Sequence, residues 1–350
     1  MKTLKIGIIG AGGISHAHAA GYRQQEGVEL YAVADIVPGR AEAWAKQYGV
    51  PYHFTDYRKL LELDEIDAVS VCTYNRAHKG PTVAALRAGK PVLCEKPVAH
   101  NLADAVAMLR AAEETGKMLM IGVHSRFSPT QRLAAQVVRE GALGDIYYAE
   151  TVGTRRRGIP GGTFIQKSQG GGGAIIDIGV YALDTALDIM GHPRPVRVSA
   201  LTQDYIGRHT CPPEFSDAWP WDPAQMEVDE FGAAWIRFDN GAVLVFKISW
   251  AVHAESLGQT YFLGTRGGLQ LHPLTIYRDE FGSMVNVTPV HVRPEPDRFK
   301  EEIGAFINAV RHGGPNPIPI EEVIWTQVIM DGIYRSAQAG KEVTVGLPEK

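Results

Sequence analysis

The chain has 350 residues, of which 45% are hydrophobic and 21% charged, at a net charge of −4. An ordinary globular composition excludes a disordered or fibrous chain, and the acidic balance argues against a surface built for nucleic acid. The length exceeds what one core usually supports, about 250–300 residues, so two domains are expected. Cys72, Cys94 and Cys211 show no paired metal-ligand spacing. Two of them fall inside strand-like runs, which suits reduced thiols and a cytoplasmic location. The apolar run near the N-terminus breaks into glycines after about six residues, too short for a signal core or a membrane span.

Leu4 to Ile9 reads as a strand, and Gly10-Ala11-Gly12-Gly13-Ile14-Ser15 follows at once, leading into a helix from Ile14 to Gln25. Strand, glycine turn and helix in that order are the context of a dinucleotide fingerprint. Gly10 serves the tight turn, and the backbone at Gly12, Gly13 and Ile14 is expected to approach a pyrophosphate at the helix N-terminus. Ser15 stands where a third glycine is usual, and it is small enough for close helix packing. Val28 to Ala34 is a second strand closed by Asp35. A carboxylate there accepts from ribose hydroxyls and repels a 2′-phosphate, favouring NAD over NADP. The structural alternative is that Asp35 caps the helix beginning near Pro38. Arg40 lies close enough to soften the preference.

Further βα units follow: a helix over Arg40–Tyr48, a strand over Pro51–Phe54, a small helix from Asp56 to Leu63, and a strand over Asp67–Thr73. A helix over Ala77–Ala88, a strand over Pro91–Cys94, a helix over Asn101–Thr115 and a strand over Met118–Val123 complete the alternation. Repeated units without hairpins predict a doubly wound parallel sheet, with ligands beyond the strands' carboxyl ends. Thr73, Asn75 and His78 occupy one such end and are candidate contacts to the nicotinamide ribose, with His78 alternatively a helix cap. Glu95, Lys96 and Pro97 occupy the next, where proline fixes its own φ and biases Lys96 towards extended geometry. A surface ion pair between Glu95 and Lys96 is the competing interpretation. The first domain is read as residues 1–123 and the second as 124–350.

Beyond Arg126, a further candidate cofactor contact, the pattern changes. A helix over Pro129–Arg139 and a strand over Asp145–Arg155 precede Gly170-Gly171-Gly172-Gly173 and a single helix from Ala174 to Met190. On that helix Asp177, Tyr181 and Asp184 recur at four- and three-residue spacing and would share a face. The bland alternative makes Asp177 a first-turn dipole partner and Tyr181 a core residue. Five later strands, between Val196 and Leu271, with turns at Asp239-Asn240-Gly241 and Thr265–Gly268, predict a mainly antiparallel sheet. Either helices or another subunit must cover its broad exposed face, and dimers or tetramers joined through this sheet are expected. Pro212 to Pro223, with Trp219 and Trp221, reads as an aromatic loop. Helices over Arg298–His312 and Val323–Ala339 close the chain. In the run Arg155-Arg156-Arg157, Arg156 could grip an anionic substrate group or lie in a solvated turn.

Gly10-x-Gly12-x-x-Ser15, Asn75-x-x-His78, Glu95-Lys96-Pro97 and Gly171-Gly172-Gly173-x-x-x-Asp177-x-Gly179-x-Tyr181-x-x-Asp184 together resemble the glucose–fructose oxidoreductase / inositol dehydrogenase / rhizopine catabolism (Gfo/Idh/MocA) family. The resemblance runs in order from Leu4 to about Gly191. It implies an N-terminal Rossmann domain, a C-terminal α/β domain with an open sheet, and hydride exchange between NAD and a sugar or polyol carbon. It further implies that Lys96 is the catalytic lysine and Asp177 the catalytic-helix aspartate, with Lys96, Asp177 and Tyr181 around the substrate. Tyr181 stands where many members carry histidine, which moves proton transfer to a group with a reference pKa of about 10. A nearby lysine charge would favour the ionised phenol. The same fold also hosts glycosidases that oxidise the sugar transiently, and dinucleotide sensors without catalysis. Intact Lys96, Asp177 and Tyr181 argue against the sensor.

Overall fold

A computed structural model describes residues 2–210 and 220–348. Pro212 to Trp219 of the expected aromatic loop therefore lie outside the described residues. The chain divides into two compact units that are not consecutive stretches. One comprises Met1–Phe127 with Pro296–Ile324, and the other Ser128–Glu295 with Trp325–Lys350.

The first unit is built on a six-stranded parallel sheet. Its strands are β1 (Leu4–Ile9), β2 (Val28–Ala34), β3 (Tyr52–Phe54), β4 (Ala68–Val71), β5 (Val92–Glu95) and β6 (Leu119–Gly122), in the order β3-β2-β1-β4-β5-β6. All five pairings are parallel. Every residue of β4, β5 and β6 is buried, as a parallel sheet requires when helices cover both faces. The order of winding reverses at β1: β2 and β3 are added on one side of it, β4, β5 and β6 on the other. Such a switch point is where an open α/β sheet leaves a crevice. Asp56 and Asn101 cap the two helices that follow them, accepting from Arg58 N and Asp104 N. Both caps are short-range arrangements within two or three residues of the helix start. The helix Arg298–His312, distant in the chain, belongs to this unit: Ile303 meets Gly21, and a side chain added there would lie 2.4 Å from Ile303 Cδ1.

The second unit carries a nine-stranded sheet. Its strands are β7 (Ile146–Thr154), β8 (Pro195–Gln203), β9 (Phe231–Phe238), β10 (Val243–Ser249), β11 (Tyr261–Gly264), β12 (Gly268–Gln270), β13 (Thr275–Glu280), β14 (Ser283–Val287) and β15 (Val343–Thr344). They run in the order β14-β13-β12-β11-β7-β10-β9-β8-β15, and β7–β10 is the one parallel pairing among the described residues. The β9–β10 and β11–β12 hairpins turn where expected. β13, β14 and β15 were not expected. Ile236, Phe238, Leu244 and Phe246 point to one buried face, whereas Trp235 and Arg237 alternate to the other side and are exposed. No described helix is long and apolar enough to cross a membrane.

Candidate functional site

In the first unit, the carboxyl ends of β2, β1, β4 and β5 follow one another along one sheet edge and carry Asp35, Gly10, Thr73 and Glu95-Lys96. Gly10 has a φ of +96°, and a Cβ there would sit 2.7 Å from the Cys72 carbonyl and 2.9 Å from Thr73 N. Only glycine lets β1 turn this close to the end of β4. A Cβ on Gly12 or Gly13 would meet nothing within 4 Å, so the outer side of the turn is open. The helix Gly13–Arg23 begins here, and its first N–H groups, Ile14 included, have no partner within the helix. Ser15 is buried and donates to Gly12 O at 2.5 Å while accepting from Trp44 Nε1 at 2.9 Å. The departure from glycine therefore serves to hold the turn.

Asp35 Oδ2 accepts from Ala11 N at 2.8 Å, tying β2 to the glycine turn, and Oδ1 accepts from Val37 N at 2.8 Å. It caps no helix, because the next helix, Arg40–Tyr48, is entered through Gly39. Arg40 stands 3.6 Å from Asp35. Ile36 beside it is 71% exposed, an apolar side chain flanking the carboxylate that sequence reasoning passed over. Thr73 Oγ1 is buried and has no hydrogen-bond partner. A buried hydroxyl usually finds one. An open glycine turn, a carboxylate fixed beside it and an orphaned hydroxyl on the next strand together fit an extended polar ligand such as a dinucleotide.

His78 is fully buried, with Nδ1 2.9 Å from Pro97 O and Nε2 3.0 Å from Thr73 O. The ring thus braces the turn after β4 against the Glu95-Lys96-Pro97 segment, and burial holds it below the ordinary histidine range despite those carbonyls. Asn75 lies in the preceding 3₁₀ turn, Asn75–Ala77. Glu95 is 4% exposed; its Oε1 faces His18 Nε2 at 2.8 Å and its Oε2 accepts from Lys96 N at 3.1 Å. Glu95 is therefore buried and engaged inward rather than lying at the surface. The Lys96–Pro97 peptide is cis. Arg126 is buried and pairs with Glu322.

In the second unit the expected continuous helix is two helices, Ala174–Asp177 and Gly179–Met190, hinged at Ile178. Asp177 and Tyr181 thus sit on either side of a break rather than on one uninterrupted face. The apolar periodicity runs straight through Ile178, which is why the break was not legible. Asp177 Oδ2 accepts from Trp250 Nε1 at 3.1 Å. Trp250 has no exposed surface. Trp250 follows β10 directly, and nothing in its local sequence marks it as the aspartate's partner. Asp184 is fully buried and Tyr181 half-buried.

The glycine run ahead of these helices is forced by packing. A Cβ on Gly173 would lie 1.8 Å from Asp229 O, and one on Gly172 2.0 Å from Tyr334 Oη. Asp229 collects Gly173 N at 3.0 Å, Ile175 N at 3.1 Å and Tyr334 Oη at 2.7 Å. Burial nevertheless pushes its ionisation up. Arg156 is exposed and pairs with Glu255, while Arg157 reaches His253 at 2.6 Å. No cluster of three or more potential metal ligands occurs among the described residues.

Residues 4–123 match a family model described as an oxidoreductase family with an NAD-binding Rossmann fold, and residues 131–270 match the GFO/IDH/MocA C-terminal domain. The chain is 35% identical over 348 residues to D-glucoside 3-dehydrogenase of Escherichia coli (strain K12), covering 98% of this chain and 97% of that protein. It is 31% identical over 198 residues to inositol 2-dehydrogenase of Rhizobium meliloti (strain 1021), covering 57% and 58%. Levoglucosan dehydrogenase, solved in complex with NADH and L-sorbose, shares the fold with a TM-score of 0.80 at 24% identity over 100% of both chains.

Proposed function

The chain belongs to the Gfo/Idh/MocA family of oxidoreductases, and from that premise we infer that it is an NAD-dependent dehydrogenase of a secondary alcohol on a sugar, glycoside or inositol-like polyol. The observation that carries this is full-length similarity to a D-glucoside 3-dehydrogenase together with the open glycine turn and fixed Asp35.

Oxidation of such an alcohol releases a hydride, which nicotinamide accepts when bound, and a proton, which the chain must take. We assign proton transfer to Lys96 and Tyr181, both proposed to act on the reacting oxygen. Asp177, oriented by the Trp250 indole, holds the neighbouring substrate hydroxyls. The lysine charge stabilises negative charge developing on that oxygen. The backbone at Gly10, Gly12, Gly13 and Ile14, with Asp35, Thr73, Asn75 and Glu95, forms our proposed dinucleotide cradle. His78 and Arg126 support that cradle from behind, and Arg156 is assigned to the rim of the substrate side.

The exposed Leu201 and Trp235, on one side of the second sheet, support assembly into dimers or tetramers through it. Buried, unpaired Cys72 and Cys94 support a cytoplasmic protein.

The test is the absorbance of reduced nicotinamide, with NAD⁺ and NADP⁺ offered separately against inositols, aldoses and glycosides. A rise with NAD⁺ and one substrate class is expected, and Lys96→Met should bind NAD⁺ yet lose most turnover. Cleavage of a chromogenic glycoside without any accumulation of reduced nicotinamide would replace this reading with that of a hidden-redox glycosidase.

A further inference from the structure

Behind the Glu95-Lys96 pair, the first unit holds a line of polar side chains that the proposed chemistry does not use. Tyr22 Oη lies 2.7 Å from Ser70 Oγ, Ser70 Oγ 3.1 Å from His18 Nδ1, and His18 Nε2 2.8 Å from Glu95 Oε1. Glu95 Oε2 accepts the main-chain N–H of Lys96 at 3.1 Å. Tyr22, Ser70 and His18 have no exposed surface. Three elements supply the line: the helix Gly13–Arg23, β4 and β5. Its only outlet along these bonds is the backbone of Lys96.

The hydrogen bonding has a definite sense where the carboxylate is ionised. Such a group only accepts, so the proton between His18 and Glu95 sits on Nε2. Ser70, itself held by Tyr22, then engages the other ring nitrogen and fixes the plane of the imidazole. A histidine held at both ring nitrogens is oriented to steady a carboxylate.

We propose that His18 is a positioning residue for Lys96: through Glu95 it clamps the lysine's main chain and keeps an anion beside it. The proposal deepens the dehydrogenase reading and rests on Lys96 acting there. Burial alone would raise Glu95; the hydrogen bond from His18, followed by the nearby Lys96 and His78, outweighs it and holds the carboxyl below its usual range. The remaining groups facing Glu95 are Cys72 at the end of β4, Cys94 on β5, His124 in the turn after β6 and Glu302 on the helix Arg298–His312. Without His18, burial wins, Glu95 takes up a proton at higher pH, and Lys96 loses both clamp and counter-charge.

The test compares His18→Leu, His18→Gln, Glu95→Gln and Lys96→Met with the parent enzyme. NAD⁺ affinity is read by quenching of protein fluorescence, and kcat and KM are read from pH 5 to 10. Carbon-detected NMR of protein labelled at the glutamate carboxyl, with Glu95 assigned through Glu95→Gln, reports its ionisation without any substrate. For His18→Leu we expect NAD⁺ affinity within about threefold, kcat lower by about 100-fold at nearly constant KM, and the acid limb of kcat/KM moved to higher pH. The Glu95 carboxyl signal should titrate at higher pH as well. His18→Gln retains an N–H donor and should recover at least about tenfold of the lost kcat. An unmoved Glu95 titration in both His18 variants, or a loss of kcat with an unchanged pH profile and no recovery in His18→Gln, overturns the proposal. If His18→Leu does not fold, His18→Gln and Glu95→Gln still decide it: parent-like turnover in Glu95→Gln overturns it. Parent-like turnover in Lys96→Met overturns instead the dehydrogenase assignment of Lys96, whereas inactive Lys96→Met beside parent-like His18 variants removes only the role of His18.

Discussion

The indole N–H of Trp250 donates to Asp177 Oδ2 at 3.1 Å, from a ring with no exposed surface. A buried, immobile donor fixes one carboxylate oxygen and leaves the other to orient by its surroundings. Trp250→Phe keeps an aromatic ring but removes the indole N–H along with part of the buried bulk; the bond to a charged acceptor is worth about 1.5–3 kcal/mol. We expect kcat/KM to fall by roughly 10–100-fold, mostly through KM, with NAD⁺ affinity unchanged. Steady-state kinetics beside NAD⁺ titration checks this. Parent-like kcat/KM would mean that Asp177 is oriented by something else.

The approach to Asp177 is equally constrained. A Cβ on Gly173 would overlap Asp229 O at 1.8 Å, and both are main-chain or Cβ atoms with little freedom to move. Gly173→Ala should cost at least about 3 kcal/mol, placing it among the severe overpacking substitutions. Gly346→Ala, where a Cβ meets nothing within 4 Å, is the matched control and should be neutral. Tyr334→Phe removes the 2.7 Å bond to buried Asp229 and should cost about 1–3 kcal/mol. Urea unfolding of the three variants orders them; equal midpoints for Gly173→Ala and Gly346→Ala would contradict the packing account.

Which of these features could be read beforehand follows from how far apart the partners lie in the chain. The glycine turn, Asp35 at the end of β2 and the Glu95-Lys96-Pro97 end of β5 are local signals, each fixed by a strand and the residues just after it. The starts of the helices near Asp56 and Asn101 were legible for the same reason. His18 and Glu95 are 77 positions apart, and Asp177 and Trp250 are 73 apart; only tertiary packing makes them partners. The break at Ile178 was hidden because apolar spacing continues through it. β13 and β14 were missed because Thr275–Glu280 and Ser283–Val287 mix polar and apolar residues as an exposed hairpin does. Arg298–His312 was recognised as a helix, but nothing in its sequence says that it packs beside Gly21 in the first unit.

Asp35 has two tasks that one substitution separates. It holds Ala11 N of the glycine turn and, in our reading, accepts from the adenosine ribose. Asp35→Ser removes the charge that would repel a 2′-phosphate and releases Arg40, now 3.6 Å away, to meet one. We expect the ratio of kcat/KM for NADP⁺ to that for NAD⁺ to rise by about 100-fold, mainly through loss with NAD⁺. Adding Arg40→Ala should cancel the part gained with NADP⁺. A ratio unmoved by Asp35→Ser would remove this residue from cofactor selection. The Arg40–Asp35 pair itself is half-exposed on the arginine side, so its loss should hardly change stability.

Glu302 supplies a prediction about stability rather than turnover. The side chain is fully buried on the helix Arg298–His312, and neither carboxyl oxygen has a hydrogen-bond partner. Burial, reinforced by the neighbouring Glu95, pushes its ionisation well above the usual carboxylate range. The folded chain therefore holds this proton to higher pH than the unfolded chain, which releases it above a pH of about 4.3. Above that pH the folded state binds more protons than the unfolded one, so this group's contribution to stability declines as pH rises. Glutamine preserves shape and cannot ionise, so Glu302→Gln escapes the decline. Near pH 4.5 the variant should match the parent, and by pH 8 it should be more stable by about 1 kcal/mol or more, a Tm gain of a few degrees. Urea unfolding at pH 4.5, 6 and 8 measures the difference. A gain that does not grow with pH, or a less stable variant at pH 8, would show that Glu302 is ionised in the fold and held by a partner.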